Sequence, residues 1–273
     1  MGKRSKRKKL LKKLQRRTGL KHPARRHIKP SNYKDNFGNS ISPIELAFPI
    51  IRYTADNQFE AIGTGFFFHP AGGFISARHN FYNSKNEYDD NCYAIHSVGS
   101  GQHLIRKVQY FEPHPIADIG AGMLRGQLKK RETNDIVLKA SLSVSLTPPA
   151  IDDEISTLAY PRMKIKKSSV GTFPCDKYTG KILEYRSDGT GKLKSECFIT
   201  NMEIKSGSSG GPVLRGNHII GVNCSSFDIE EKYEPISFIT PISLVFDLEL
   251  KDGHGEITTI RRLMDSGHIH WVK

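Results

Sequence analysis

Gly207-Ser208-Ser209-Gly210-Gly211-Pro212 is the stretch on which the reading of this 273-residue chain turns. A serine that acts as a nucleophile needs its hydroxyl displayed on a tight turn. Backbone amides must lie beside it to hold the negative oxygen that develops. Glycines around Ser209 allow conformations that a side chain forbids, so the amides of Gly207 and Ser209 can converge on one point. With Gly near 7% and Pro near 5% of residues, such a pattern arises by accident on the order of once in several thousand chains. An ordinary Gly/Ser-rich loop is the competing reading, and Ser206–Ser209 suits it. The next residues favour the first. Pro212-Val213-Leu214, a turn at Arg215-Gly216-Asn217 and His218-Ile219-Ile220-Gly221-Val222 read as a β-hairpin fed directly by the serine turn.

Upstream, Gly63-Thr64-Gly65-Phe66-Phe67-Phe68 and Gly72-Gly73-Phe74-Ile75-Ser76-Ala77-Arg78-His79 read as a second hairpin. The chain has 11 histidines, and a histidine taken alone is usually a surface or satisfied core residue. His79 differs because it comes after a strand that ends in the small residues Ser76 and Ala77, a suitable place for an imidazole poised at a cleft. Imidazole is the natural base for a serine hydroxyl.

From Ala47 onward, short β-branched and aromatic runs alternate with Gly, Asn, Asp and Pro breaks, the texture of an antiparallel all-β chain. One set of candidate strands runs from Pro49–Tyr53 through Ala61–Phe68, Gly73–Ala77, Tyr93–Val98 and Leu104–Phe111 to Asp118–Leu124. A second begins at Ile136–Leu142 and Ile155–Tyr160. It continues through Ser169–Thr172, Lys181–Tyr185 and Ser195–Thr200 to the serine hairpin and Ile236–Thr240. Helical pattern is confined to Ile242–Leu248 and Thr258–Met264. Two strand groups, each sufficient to close a sheet, predict two small barrels or sandwiches joined near Leu124–Asn134. No internal repeat is visible.

The two motifs together resemble the chymotrypsin-like (trypsin-like) serine protease family, especially its bacterial members, over roughly Ile44 to Asp247. The resemblance implies an all-β fold of two six-stranded antiparallel Greek-key barrels. It further implies hydrolysis of a protein or peptide substrate without a cofactor or metal. His79 would be the base, Ser209 the nucleophile, and the amides of Gly207 and Ser209 the oxyanion hole. The chain order of base, acid, then serine also matches that family. The acid, which fixes the imidazole tautomer, is read as Asp118 in His114-Pro115-Ile116-Ala117-Asp118-Ile119, 39 residues after His79. Asp135 in Asn134-Asp135-Ile136-Val137-Leu138 has the same local look. It leaves only 26 residues to Pro161 where Asp118 leaves 43, and the longer span better accommodates the connection between barrels. Asp89 and Asp90 come too soon after His79.

Glu203, six before the serine, falls where the family lines its primary pocket; it either selects Lys or Arg there or faces solvent. Asn223 falls near the strand bordering that pocket, a substrate-binding candidate or an ordinary strand residue. Ser208 stands where zymogen-type members have an aspartate that pairs with a new N-terminus, so that ion-pair switch is missing. Asn80 stands where many secreted members have a cysteine. A catalytically silent binding protein on the same fold is the alternative function.

Residues 1–30 contain fourteen Lys or Arg and no acidic residue, which leaves 27 basic against 28 acidic residues for the rest. The charge belongs to an arm, expected to be disordered by self-repulsion. Arm residues such as Arg4, Lys8, Lys12 and Arg16 suit nucleic acid or another polyanion, and no aromatic residue is interleaved for base stacking. The expected organisation is an arm and linker over 1–42, a barrel domain over 43–250 and an extension over 251–273. Within the barrel domain the junction falls near 125–135. No apolar run long enough for a transmembrane helix occurs, and the basic start has no apolar segment after it. Four cysteines without a metal-type pair suit reduced, mostly buried thiols and a cytoplasmic location. His268 and His270 without clustered acids suit a strand or docking tail rather than a metal site.

Overall fold

A computed structural model describes residues 33–34, 38–54, 58–83, 85–97, 103–126, 141–161, 165–166, 169–170, 173–191, 193–226, 235–251 and 255–273. Six strands close the first barrel: β1 (Ala47–Tyr53), β2 (Phe59–His69), β3 (Gly73–Ser76), β4 (Cys92–Ser97), β5 (His103–Pro113) and β6 (Gly120–Leu124). Their order around the barrel is β1-β2-β3-β6-β5-β4, with β4 returning to β1. The second barrel is built from β7 (Glu154–Ala159), β8 (Asp176–Arg186), β9 (Cys197–Thr200), β10 (Pro212–Arg215), β11 (His218–Ser226) and β12 (Ser237–Pro241). Its order is β7-β8-β9-β12-β11-β10, closed by β10 on β7. The two barrels share one topology, the chymotrypsin-like arrangement, although no repeat is visible in sequence.

Strand alternation sends successive side chains to opposite faces, and the Phe66-Phe67-Phe68 run divides accordingly. Phe67 enters the first barrel with Phe48, Phe74, Phe81 and Phe111, its ring 4.7 Å from that of Phe48. Phe66 and Phe68 point the other way, into a core shared with Leu158, Tyr160 and Leu214 of the second half. Ile155, Ile182, Phe198, Val213, Ile220 and Ile239 fill the second barrel. The shared core ties the halves together, and polar contacts add to it. The Tyr160 hydroxyl donates to the Ala47 carbonyl at 2.7 Å, and the Tyr160 amide donates to Thr64 Oγ1 at 3.2 Å.

Several connections differ from the sequence expectation. Within the stretch read as a linker, Tyr33–Lys34 pairs with Ser40–Ile41, because Tyr33 and Ile41 are buried and Lys177 lies over the Tyr33 ring. Most of Ile136–Leu142 and the 125–135 junction lie outside the described residues, as do the basic arm and Asp135; the strand nearby is Val144–Ser145. Val144–Ser145 runs parallel to β11 and to Trp271–Val272, so the C-terminal segment joins the second sheet as its outer strand. Ile242–Val245 is a single 3-10 turn. The later helix spans Ile260–Asp265, capped by Thr259 Oγ1 accepting from the Arg262 amide. Among the described residues no helix is long and apolar enough to cross a membrane.

Candidate active site

Each sequence-predicted residue of the catalytic set sits on a connection at the seam between barrels. His79 lies in the 3-10 turn Arg78–Asn80, just past β3. Asp118 lies in the turn between β5 and β6, and Ser209 in the loop between β9 and β10. Asp118 is fixed by its neighbours, since Ala117 and Ile119 are fully buried in the shared core and leave Asp118 between them facing outward. His114 organises the same turn: its Nδ1 accepts from the amides of Ile116 (3.2 Å) and Ala117 (2.9 Å). Arg78 Nη1 donates to the carbonyls of His114 and Pro115. Burial, and then the Arg78 charge, hold the His114 imidazole below its ordinary pKa.

The carboxylate of Asp118 meets His79 twice. Asp118 Oδ2 is 2.7 Å from His79 Nδ1, and Oδ1 accepts from the His79 amide at 3.0 Å. With Nδ1–H on the carboxylate, Nε2 is the ring's acceptor and takes no hydrogen bond among the described residues. The His79 side chain is 46% exposed against 19% for Asp118, so the imidazole is offered to solvent and the acid is shielded behind it.

In the serine loop the amides alternate. The Ser208 amide donates to the Lys205 carbonyl, the Gly210 amide to Asn223 and the Gly211 amide to Ser208. Among the described residues the amides of Gly207 and Ser209 donate to nothing. Gly207 and Gly210 both have φ of +88°, a region that L side chains rarely adopt. Gly210 is also pressed from outside: a Cβ there would fall 2.1 Å from the Thr64 carbonyl and 2.2 Å from Ser76 Oγ.

The Ser209 hydroxyl donates to the Cys224 carbonyl at 3.3 Å; among the described residues it makes no hydrogen bond to His79. Ser209 and the His79–Asp118 pair are joined through two residues that sequence reasoning missed. Asn80 Nδ2 donates to the Ser209 carbonyl at 3.0 Å, and Cys224 Sγ lies 3.0 Å from the Asp118 carbonyl. Burial, reinforced by the Asp118 charge, raises the Cys224 thiol well above its usual range, so it stays protonated and able to donate. Both contacts span more than a hundred residues of sequence, and only the adjacency of Asn80 to His79 hinted at either.

The two pocket candidates part company. Glu203 is half-buried at the start of the serine loop. Asn223 is fully buried, with its Nδ2 bonded to Thr157 Oγ1 and its backbone carbonyl accepting from the Gly210 amide. It therefore supports the serine loop from inside the second barrel, and we give it no substrate contact. All four cysteines are free thiols. Cys92 and Cys175 are each pushed up to about 12, chiefly by burial.

No curated protein matches the chain in sequence. Among solved structures, the active form of the Rv3671c protease from M. tuberculosis superposes with a TM-score of 0.51 at 15% identity. The match covers 83% of this chain and 90% of that one. The structure of Deg5 superposes with a TM-score of 0.50 at 17% identity, covering 72% and 84%. At such identities the likeness is one of fold. In sequence, the family model described as Trypsin matches residues 40–248, most of the chain. The chain belongs to the trypsin family.

Proposed function

We propose that this protein is a serine endopeptidase that cleaves protein substrates through an acyl-enzyme on Ser209. His79 Nε2 takes the hydroxyl proton as Ser209 Oγ attacks the scissile carbonyl. Asp118 holds Nδ1–H and stabilises the imidazolium that forms. The carbonyl oxygen becomes an anion received by the amides of Gly207 and Ser209. The imidazolium then protonates the leaving amine, and water repeats the sequence to release the acyl group. The observation that carries this reading is the serine loop, where the amides of Ser208, Gly210 and Gly211 are bonded while those of Gly207 and Ser209 beside the hydroxyl are uncommitted among the described residues, together with a directly bonded His79–Asp118 pair.

One observation favours the rival, a silent binding protein on this fold: the Ser209 hydroxyl rests on the Cys224 carbonyl. A rotation about its χ1 redirects it, and catalytic hydrogen bonds of resting enzymes often form only with substrate. The test is hydrolysis of a labelled protein substrate by the wild type and by Ser209→Ala, with circular dichroism to check folding. Loss of cleavage in a folded mutant supports the endopeptidase; equal cleavage by both contradicts it.

Glu203 would select Lys or Arg before the scissile bond if it faces the pocket, and Glu203→Gln would then raise KM for such substrates alone. Charge also assigns the arm: residues 1–30, with fourteen basic side chains, would recruit nucleic acid or another polyanion. The free thiols fit a reducing, cytoplasmic setting.

A further inference from the structure

The aspartate that holds this loop in zymogen-type relatives is replaced by Ser208, and Ser208 has not taken over the task. Its side chain is fully buried, and its Oγ has no partner among the described residues. The loop is held from the opposite barrel. Thr64 Oγ1 donates to the Gly207 carbonyl at 2.9 Å. The Ser209 carbonyl accepts twice, from the Thr64 amide at 2.8 Å and from Asn80 Nδ2 at 3.0 Å. We propose that Asn80, with Thr64, is a positioning residue that keeps the nucleophile loop in its oxyanion-binding shape without any cleavage or ion pair.

Two peptide planes carry the constraint. The plane between Gly207 and Ser208 is fixed at its oxygen by Thr64 and at its amide by Lys205. The plane between Ser209 and Gly210 is fixed at its oxygen by Thr64 and Asn80 and at its amide by Asn223. Between them, the plane that carries the Ser209 amide is held at its oxygen by the Gly211 amide at 3.1 Å, which leaves the Ser209 N–H directed away from that bond. The orientation of the Asn80 amide is itself determined. Ser209 O can only accept, and Ser76 Oγ spends its proton on the Thr64 carbonyl at 2.7 Å, so both neighbours require the Nδ2 end. That choice leaves Asn80 Oδ1 buried without a partner among the described residues, a desolvation cost that a residue serving only as packing would avoid. Two glycines make room for the group. A Cβ on Gly63 would lie 2.3 Å from Asn80 Nδ2, and one on Gly210 would lie 2.8 Å from it. Asn80 is also the next residue after His79, so base and nucleophile loop are referenced to the same 3-10 turn.

The test compares full-length wild type with Asn80→Ala, Gly63→Ala, which displaces the amide without removing it, and Thr64→Val, which removes the hydroxyl that bonds Gly207 and accepts from the Tyr160 amide but keeps the Thr64 amide on Ser209. Amide hydrogen exchange by mass spectrometry is read over the serine loop and over β8 as a reference. In Asn80→Ala and Gly63→Ala, exchange across 206–211 is expected to rise at least about tenfold, with β8 within about twofold. Thr64→Val should show the same pattern to a smaller degree. Hydrolysis should lose roughly 100-fold in kcat, the scale of an ångström-level misplacement, with KM nearly unchanged. Unchanged loop exchange overturns the proposal, and so does a rise shared equally by β8, which assigns Asn80 to general packing. The kinetic arm rests on Ser209 being the nucleophile, whereas the exchange arm does not. A wild type without hydrolysis whose loop still opens in the variants would refute the nucleophile reading and leave the clasp standing.

Discussion

Replacing Gly210 by alanine puts a methyl group where the first barrel already is. At φ of +88° the new side chain meets the left-handed penalty, and its Cβ would lie 2.1 Å from the Thr64 carbonyl, 2.2 Å from Ser76 Oγ and 2.8 Å from Asn80 Nδ2. Gly216→Ala is the matched control, since Gly216 has φ of +60° but open space around its Cβ position. The backbone penalty common to both is about 1–2 kcal/mol. Overlap with groups that cannot withdraw without breaking hydrogen bonds adds about 1–3 kcal/mol at Gly210 alone. For a domain of this size 1 kcal/mol shifts Tm by roughly 2–4 °C. Gly216→Ala should therefore melt about 2–8 °C below wild type, and Gly210→Ala about 2–12 °C lower again. Differential scanning calorimetry on the three proteins reads the difference directly. Equal shifts in the two variants would refute the claim that the serine loop is packed against Thr64, Ser76 and Asn80.

Acidification gives a second test. The imidazoles of His69 and His114 are held below their ordinary pKa, chiefly by burial. Below the ordinary histidine pKa the unfolded chain therefore binds protons that the folded chain refuses. Their contribution to stability is complete above that pKa and is lost as pH falls through the depressed values. Wild-type Tm should drop between pH 7.5 and 5, and His114→Asn, which keeps an acceptor for Ile116 and Ala117 but does not titrate, should drop less; a parallel drop contradicts the assignment. Asp118→Asn should reduce hydrolysis on the order of 10⁴-fold by releasing the imidazole tautomer, while Asp135→Asn leaves it unchanged; the reverse result would move the acid to Asp135. Deleting residues 1–30 should abolish salt-sensitive heparin binding and spare peptide hydrolysis, and loss of both would show that arm and barrels are not separable.

What was legible in the sequence is what neighbouring residues decide. The serine loop could be read because its glycines, proline and adjoining hairpin are contiguous, and His79 because it closes a strand of small residues. Strand texture and turn breaks also carried the two barrels, whereas the division of Phe66 and Phe68 from Phe67 between two cores emerged from the structure. Long-range pairing was not legible. The barrels repeat one strand order with strands of similar length but without a visible sequence repeat, so topology repeats where sequence does not. Trp271–Val272 finds a parallel partner in Val144–Ser145 across the whole of the second barrel's sequence. Cys224 gave no sign of lying against Asp118, and Asn80 read only as a missing cysteine, although its amide reaches the Ser209 carbonyl. Asn223 had two readings, a pocket-bordering residue or an ordinary strand residue, and its burial against Thr157 agrees with the second.

Covalent labelling with a fluorophosphonate probe, mapped by mass spectrometry, tests the central claim most directly. The expected result is one adduct, on Ser209, lost in Ser209→Ala and slowed at least about 1000-fold in His79→Ala, because the hydroxyl then has no base. A folded wild type that takes no label, or one that labels equally well without His79, would contradict the account.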